Sequence, residues 1–134
     1  MAFQSSPVLD FSFKAAEDLS NYQYHFIIID SNGKVALMNA IGDYPIGVLQ
    51  NAPGADEEAT VRILGISKVV ANAAIDEGSL VNAEFVSTSD CGKAQATTTD
   101  NVTCCGIVLG ASGAEDDLAS VLLTPLGSKP VAKA

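Results

Sequence analysis

The chain has 134 residues, of which 48% are hydrophobic but only 6% aromatic, and it contains no Trp. Seven Lys and Arg face sixteen Asp and Glu, which gives a formal net charge of −9. This length predicts one domain. The scattered basic residues argue against a direct nucleic-acid partner, because binding a phosphate backbone requires clustered Lys and Arg.

Three cysteines, Cys91, Cys104 and Cys105, show no metal-ligand spacing. Adjacent residues of a strand point to opposite faces, so Cys104 and Cys105 are not expected to bridge each other. We expect free thiols in a protein made in a reducing cytoplasm. The N-terminus lacks the pattern of a signal peptide, and no apolar run is long enough to cross a bilayer, so no membrane partner is expected.

Short apolar segments separated by turn signals follow one another along the chain. Residues 24–30 (YHFIIID) predict a strand that turns at Asn32-Gly33, a strong hairpin signal, into KVALMNA. Further strands are predicted in YPIGVLQ, ATVRILGISKVVA, SLVNAEFVST, VTCCGIVLGA and LASVLLTPLG, and an edge strand or loop in KAQATTTD. Helical periodicity is weak, with short candidates only at residues 13–22 (FKAAEDLSNY) and 71–78 (ANAAIDEG). The pattern predicts a mainly β fold, a small barrel or sandwich of antiparallel strands with one or two short helices.

One acidic turn occurs twice, as NAPGADEEATV (residues 51–61) and GASGAEDDLASV (residues 110–121), each preceded by a Gly-apolar-Leu segment. Gly54 and Gly113 can adopt the positive φ of a hairpin connection, and the carboxylates keep the tip in water. We interpret the two copies as equivalent hairpins. Calcium binding is the competing interpretation, but calcium loops place ligands at alternate positions, whereas these carboxylates are consecutive. No metal or cofactor is predicted.

No catalytic constellation can be assembled. His25 is the only histidine, and although a Cys–His pair is conceivable, no orienting motif flanks any cysteine. Phosphate-binding Gly loops and HExxH motifs are absent. Residues 65–81 have some similarity to biotinyl and lipoyl carriers, but Lys68 and Lys93 lack the neighbours of a modified lysine. The chain is predicted not to be an enzyme.

Three stretches together resemble the small capsid decoration (cement) proteins of tailed bacteriophages: AAEDLSNYQYHFIIIDSNGKVALMNA, PIGVLQNAPGADEEATVRILGISKVVANAAIDEGSLV and CGIVLGASGAEDDLASVLLTPLG. The order and spacing of these stretches carry the resemblance, which covers residues 15–127. It implies a β-tulip-like fold, usually trimeric, on the outer surface of the expanded virion head, where the protein would bridge neighbouring major capsid proteins and stabilise the lattice. The implied partners are the major capsid protein and further copies of this chain as a homotrimer.

The predicted organisation is an N-terminal arm (residues 1–14), a β domain (residues 15–127) and a C-terminal tail (residues 128–134). Alternating apolar residues in the arm indicate a strand that could add to a sheet edge of the shell protein. The candidate capsid-binding residues are Phe3, Val8, Leu9, Phe11 and Phe13. Alternatively, the arm folds back as an edge strand of its own barrel or of a trimer neighbour. A second class of function is a different virion surface module, such as a fibre or spike base or a carbohydrate-binding domain.

Overall fold

The computed structural model describes residues 5–41, 43–97 and 104–128. Within these residues the chain forms nine strands: β1 (Ser5–Lys14), β2 (Phe26–Ile29), β3 (Val35–Ala36), β4 (Gly47–Leu49), β5 (Glu58–Val70), β6 (Leu80–Ser87), β7 (Asp90–Ala96), β8 (Cys104–Gly110) and β9 (Leu118–Ser128). Each run of β-branched residues identified in the sequence coincides with one of these strands, and the polar segment KAQATTTD contributes the end of β7. The prediction of a mainly β, antiparallel fold is confirmed.

All strand pairings between these elements are antiparallel, and the order across the sheet is β3-β2-β4-β5-β9-β8-β6-β7, with β1 paired to β5. The sheet curls so that its two ends lie close together. A Cβ added at Gly92 in β7 would lie only 2.6 Å from the carbonyl oxygen of Phe26 in β2. No hydrogen-bonded pairing joins those ends among the described residues, so the sheet is barrel-like but not closed.

Aliphatic side chains fill the interior of the curled sheet. The largest fully buried side chains are Phe26, Leu19, Ile27, Met38, Leu49, Val35, Val48, Val61, Val69, Val81, Val108 and Val121. Valine dominates because its branched side chain suits a pleated surface and leaves one preferred rotamer. This accounts for a well-packed core in a chain with few aromatic residues.

The two predicted helices are wrong, because no helix occurs in the part of the chain that the structure describes. In both segments backbone N–H groups bond to carbonyls that are distant in the sequence, not to the carbonyl four residues earlier. Leu19 donates to Pro53 at 2.9 Å, and Asn72 donates to Ala94 at 3.0 Å. The large aliphatic residues of these segments, Leu19 and Ile75, are nevertheless buried, since a loop can also place a side chain in the core. Consequently the described residues contain no helix that could span a membrane.

The structure is built from two repeats, one at residues 10–62 and one at residues 66–122. The pairings β1–β5, β2–β3, β2–β4 and β4–β5 of repeat one recur in repeat two as β5–β9, β6–β7, β6–β8 and β8–β9. The registers also correspond: Asp10↔Arg62 with Ile66↔Leu122, Phe26↔Val48 with Leu80↔Ile107, and Leu49↔Val61 with Val108↔Val121. Strand β5 belongs to both repeats: it is the last strand of the first repeat and the first strand of the second.

The two acidic turns occupy equivalent places in the repeats and confirm the interpretation as matched hairpins. Asp56 has φ 63° and donates its N–H to the Ala15 carbonyl at 2.9 Å. Asp116 has φ 69° and donates to Ala71 at 2.8 Å. The positive φ therefore falls on aspartates, and not on Gly54 or Gly113 as the sequence suggested, since Asp tolerates this backbone region.

Glycine is required where two neighbouring strands of each repeat approach each other closely. At Gly106 a Cβ would overlap the carbonyl oxygen of Leu122 and lie 2.6 Å from Cγ1 of Val121. Gly47 in repeat one meets the carbonyl oxygen of Arg62 in the same way. These two glycines let β4 and β8 approach β5 and β9 at matching positions.

We expect Gly106→Ala to lower the free energy of unfolding by about 1–3 kcal/mol, because the added methyl forces backbone apart in a packed region. Chemical denaturation monitored by circular dichroism measures this. Gly113→Ala is the matched control, because its nearest neighbour is the Asp117 carboxylate at 3.3 Å, which can rotate away. Equal stability of the two variants would contradict the close-approach argument.

Candidate interaction surfaces

The described candidate capsid-binding residues lie together on β1. Leu9 and Phe11 are 39% and 49% exposed, whereas Val8 and Phe13 are half-buried. The rings of Phe11 and Phe13 contact each other edge to face with centroids 6.5 Å apart. Phe3 lies outside the described residues. The structure therefore brings four of the five candidates onto one short segment.

Strand β1 pairs with β5 of the same chain, as the second of the two alternatives for the arm predicted. Arg62 clamps the pair by donating from Nε and Nη2 to the two carboxylate oxygens of Asp10, at 2.9 and 3.1 Å. Such bidentate contacts between arginine and a carboxylate are strong and directional. Within the described ranges β1 pairs with β5 alone, so its other edge can accept a further strand. Contact of β1 with a capsid stays a prediction, as do the domain boundaries.

An open depression of about 340 Å³ brings together His25 and Cys91, two of the residues that sequence reasoning had considered for catalysis. Tyr22, His25, Cys91, Lys93 and Asp116 are among its lining residues. The rings of Tyr22 and His25 meet edge to face at 5.4 Å, and the Tyr22 hydroxyl donates to the Ser89 carbonyl at 2.8 Å.

Burial sets the protonation states of the conceivable Cys–His pair. It lowers the pKa of His25 below its usual 6.5, and Nδ1 lies 3.1 Å from the Gln23 carbonyl, an acceptor for the neutral ring. It also raises the pKa of the Cys91 thiol, whose sulfur donates to the Met38 carbonyl at 3.8 Å. Because the thiolate is the nucleophile, this arrangement favours an unreactive thiol. Cys105 is buried elsewhere, and burial raises its pKa to about 12.

The acidic turns bind lysines in equivalent positions. Lys34 meets Asp56 at 2.9 Å, and Lys93 meets Asp116 at 2.7 Å and Glu115 at 3.5 Å. Each lysine precedes a residue, Val35 or Ala94, that forms an isolated β-bridge with the residue after the first strand of its repeat, Ala15 or Ala71. Among the described residues no group of three or more His, Cys, Asp or Glu side chains could hold a metal ion.

The two lysines weighed as carrier sites lie within strands, not at hairpin tips. Lys93 belongs to β7, and its side chain is only 17% exposed within its ion pairs. Lys68 belongs to β5, and its ammonium lies 6.0 Å from the centroid of the Tyr24 ring. Neither position offers the projecting lysine that a carrier requires.

Sequence reasoning missed a row of apolar side chains that crosses four strands of repeat two. Leu80 pairs with Ile107, Ile107 with Leu122, and Leu122 with Ile66, so the four share one face of the sheet. Leu80 is 48% exposed and Leu122 43% exposed, and the other two are half-buried. The available signal was the absence of Asp and Glu from ILGISKVV, CCGIVLG and LASVLLTPLGS in so acidic a chain.

Comparison with known proteins shows a related fold. A solved structure, the head fiber gp8.5 N base in bacteriophage phi29, matches with a TM-score of 0.65 and 14% sequence identity. The match covers 92% of this chain and 99% of that chain. No protein-family model and no curated protein matches the sequence. The likeness therefore lies in the fold, over almost the whole of both chains.

We expect the stability to fall as the pH drops below about 6.5, because the unfolded chain binds a proton at His25 before the folded chain does. His25→Asn keeps a donor near the Gln23 carbonyl but does not titrate. Denaturation curves at pH 8 and pH 5.5 should show a smaller loss of unfolding free energy for the variant than for the parent protein. Parallel losses would show that another group is responsible.

Proposed function

We propose that this protein is a virion structural protein of a tailed bacteriophage, which attaches to the outside of the expanded head and stabilises the lattice by bridging neighbouring major capsid proteins. The observation that supports it most is the likeness of fold to a phage head fiber base over 92% of the chain. The sequence resemblance to decoration proteins points in the same direction and uses different information.

The surface chemistry is compatible with this role. A net charge of −9 keeps a protein soluble at high local concentration and would give the head a negative outer coat. Attachment as a homotrimer would multiply weak footprints, since linked contacts gain affinity through effective concentration. The proposed partners are the major capsid protein and further copies of this chain, and no reaction is catalysed.

A fibre or spike base is the second candidate, and the same neighbour favours it, because that structure is the base of a head fiber. The two functions differ in their effect on the shell. A cement protein raises the resistance of the head to rupture, whereas a fibre base binds the head without strengthening it.

The test uses expanded heads that lack this protein. Added protein should sediment with the heads to saturation and raise the temperature at which they release DNA. Saturating attachment with an unchanged release temperature would support the fibre-base function in place of the cement function. Failure to sediment with heads at any concentration would overturn the proposal.

If β1 contacts the capsid, replacing its exposed apolar side chains should weaken attachment. We expect the double substitution Leu9→Ser with Phe11→Ser to reduce head affinity by at least about tenfold, from the loss of buried apolar area. Ile41→Ser is the matched control, because Ile41 is 78% exposed but lies in the connection between β3 and β4. Normal head binding by the folded double variant would show that these β1 side chains do not contact the capsid.

A further inference from the structure

The two repeats treat one structurally equivalent row of side chains in opposite ways. In repeat one the row contains Phe26 and Val48, which are 2% and 0% exposed. It continues to Arg62, which is ion-paired with Asp10. Repeat one therefore removes its apolar positions from water and places charges at the others.

In repeat two the equivalent row is apolar throughout and open to water. The matching positions carry Leu80, Ile107, Leu122 and Ile66 in place of Phe26, Val48, Arg62 and Asp10. At a strand spacing of about 4.8 Å the row is about 14 Å long. Leu64 on β5 and Leu109 on β8 lie beside it and are about two-fifths exposed. Contiguous apolar surface of this kind marks an interaction site.

Charge indicates what covers the row. The strands that carry most of it, β5 from Ile63 onward together with β8 and β9, contain no Asp or Glu, although the chain carries sixteen of these residues. Two copies of an acidic chain repel each other wherever their carboxylates face one another. Few carboxylates lie on these strands, so the repulsion at this face is weak, and an identical apolar face on another copy can cover the row.

We propose that this row is the contact surface between copies of the chain, with the rows of the three copies packed together around the axis of the homotrimer. The copies of the proposed oligomer would meet at this row, and only the role of that oligomer rests on the proposed function. It is tested without heads, so its failure can be distinguished from failure to bind a capsid. The interface centre is uncharged, as the cores of protein interfaces usually are.

The other repeat supplies the variant for the test. Ile66→Asp combined with Leu122→Arg transfers to repeat two the acid–base pair that repeat one holds at the same register with Asp10 and Arg62. Because that pair is already accommodated by the fold, the double variant should remain folded. Sedimentation equilibrium over a micromolar to submillimolar dilution series should show an oligomer for the parent protein. For the variant, the dissociation constant should rise by at least about a hundredfold.

Two further variants complete the test, one within the row and one outside it. Leu80→Gln changes one exposed position of the row and should weaken self-association even if the double variant fails to fold. Ile41→Asp places a charge at an exposed aliphatic position outside the row and should leave the oligomer intact. The proposal is overturned if the parent protein is monomeric throughout, if the row variants still associate, or if Ile41→Asp disrupts the oligomer equally.

Discussion

Backbone pairing along both edges of β5 is the constraint on which the rest of the structure depends. Arg62 is opposite Asp10 of β1 and Val48 of β4, and Ile66 is opposite Ser5 of β1 and Leu122 of β9. One strand thus supplies hydrogen bonds to three others, and its Gly65, with φ 103°, lies where the pairing passes from one repeat to the next. Loss of this strand would separate the two halves of the sheet.

The acidic turns show how local sequence and long-range pairing support each other. Each turn donates one N–H to the residue that follows the first strand of its repeat, Ala15 or Ala71. Each turn also holds a lysine, Lys34 just before β3 or Lys93 in β7. These ion pairs lie near the surface, where a single pair contributes little to stability. The ion pairs instead fix the position of each turn, because the same contact recurs in both repeats although few side chains around it are shared.

The sequence predicted the strands well and the connections poorly, for a physical reason. Strand runs such as YHFIIID and ATVRILGISKVVA carry their own signal, because they are rich in β-branched and aromatic residues and are bounded by turn signals. Residues 13–22 and 71–78 carry a spacing that fits a helix or a packed loop equally well, and only the distant carbonyls that they bond decide between the two. The acidic turn revealed the duplication at one point, but its extent could not be seen, because most equivalent positions conserve only burial.

The candidate surfaces also divide into those that local sequence predicts and those that depend on contacts between distant strands. The exposed aromatic residue of β1 was identified from alternation alone, whereas the row on repeat two needed the register of four strands. Cys91 and His25 are far apart in sequence, and nothing in their neighbours predicts that they share a depression. Side chains that meet only through tertiary pairing are beyond what local patterns can indicate.

The double duty of β5 also has a meaning in terms of symmetry. A chain containing only one repeat would end in a strand with half of its hydrogen-bonding edge unsatisfied, and a second such chain would satisfy it. The present molecule therefore joins two copies of one pairing pattern covalently through β5, and its two halves carry different outer faces.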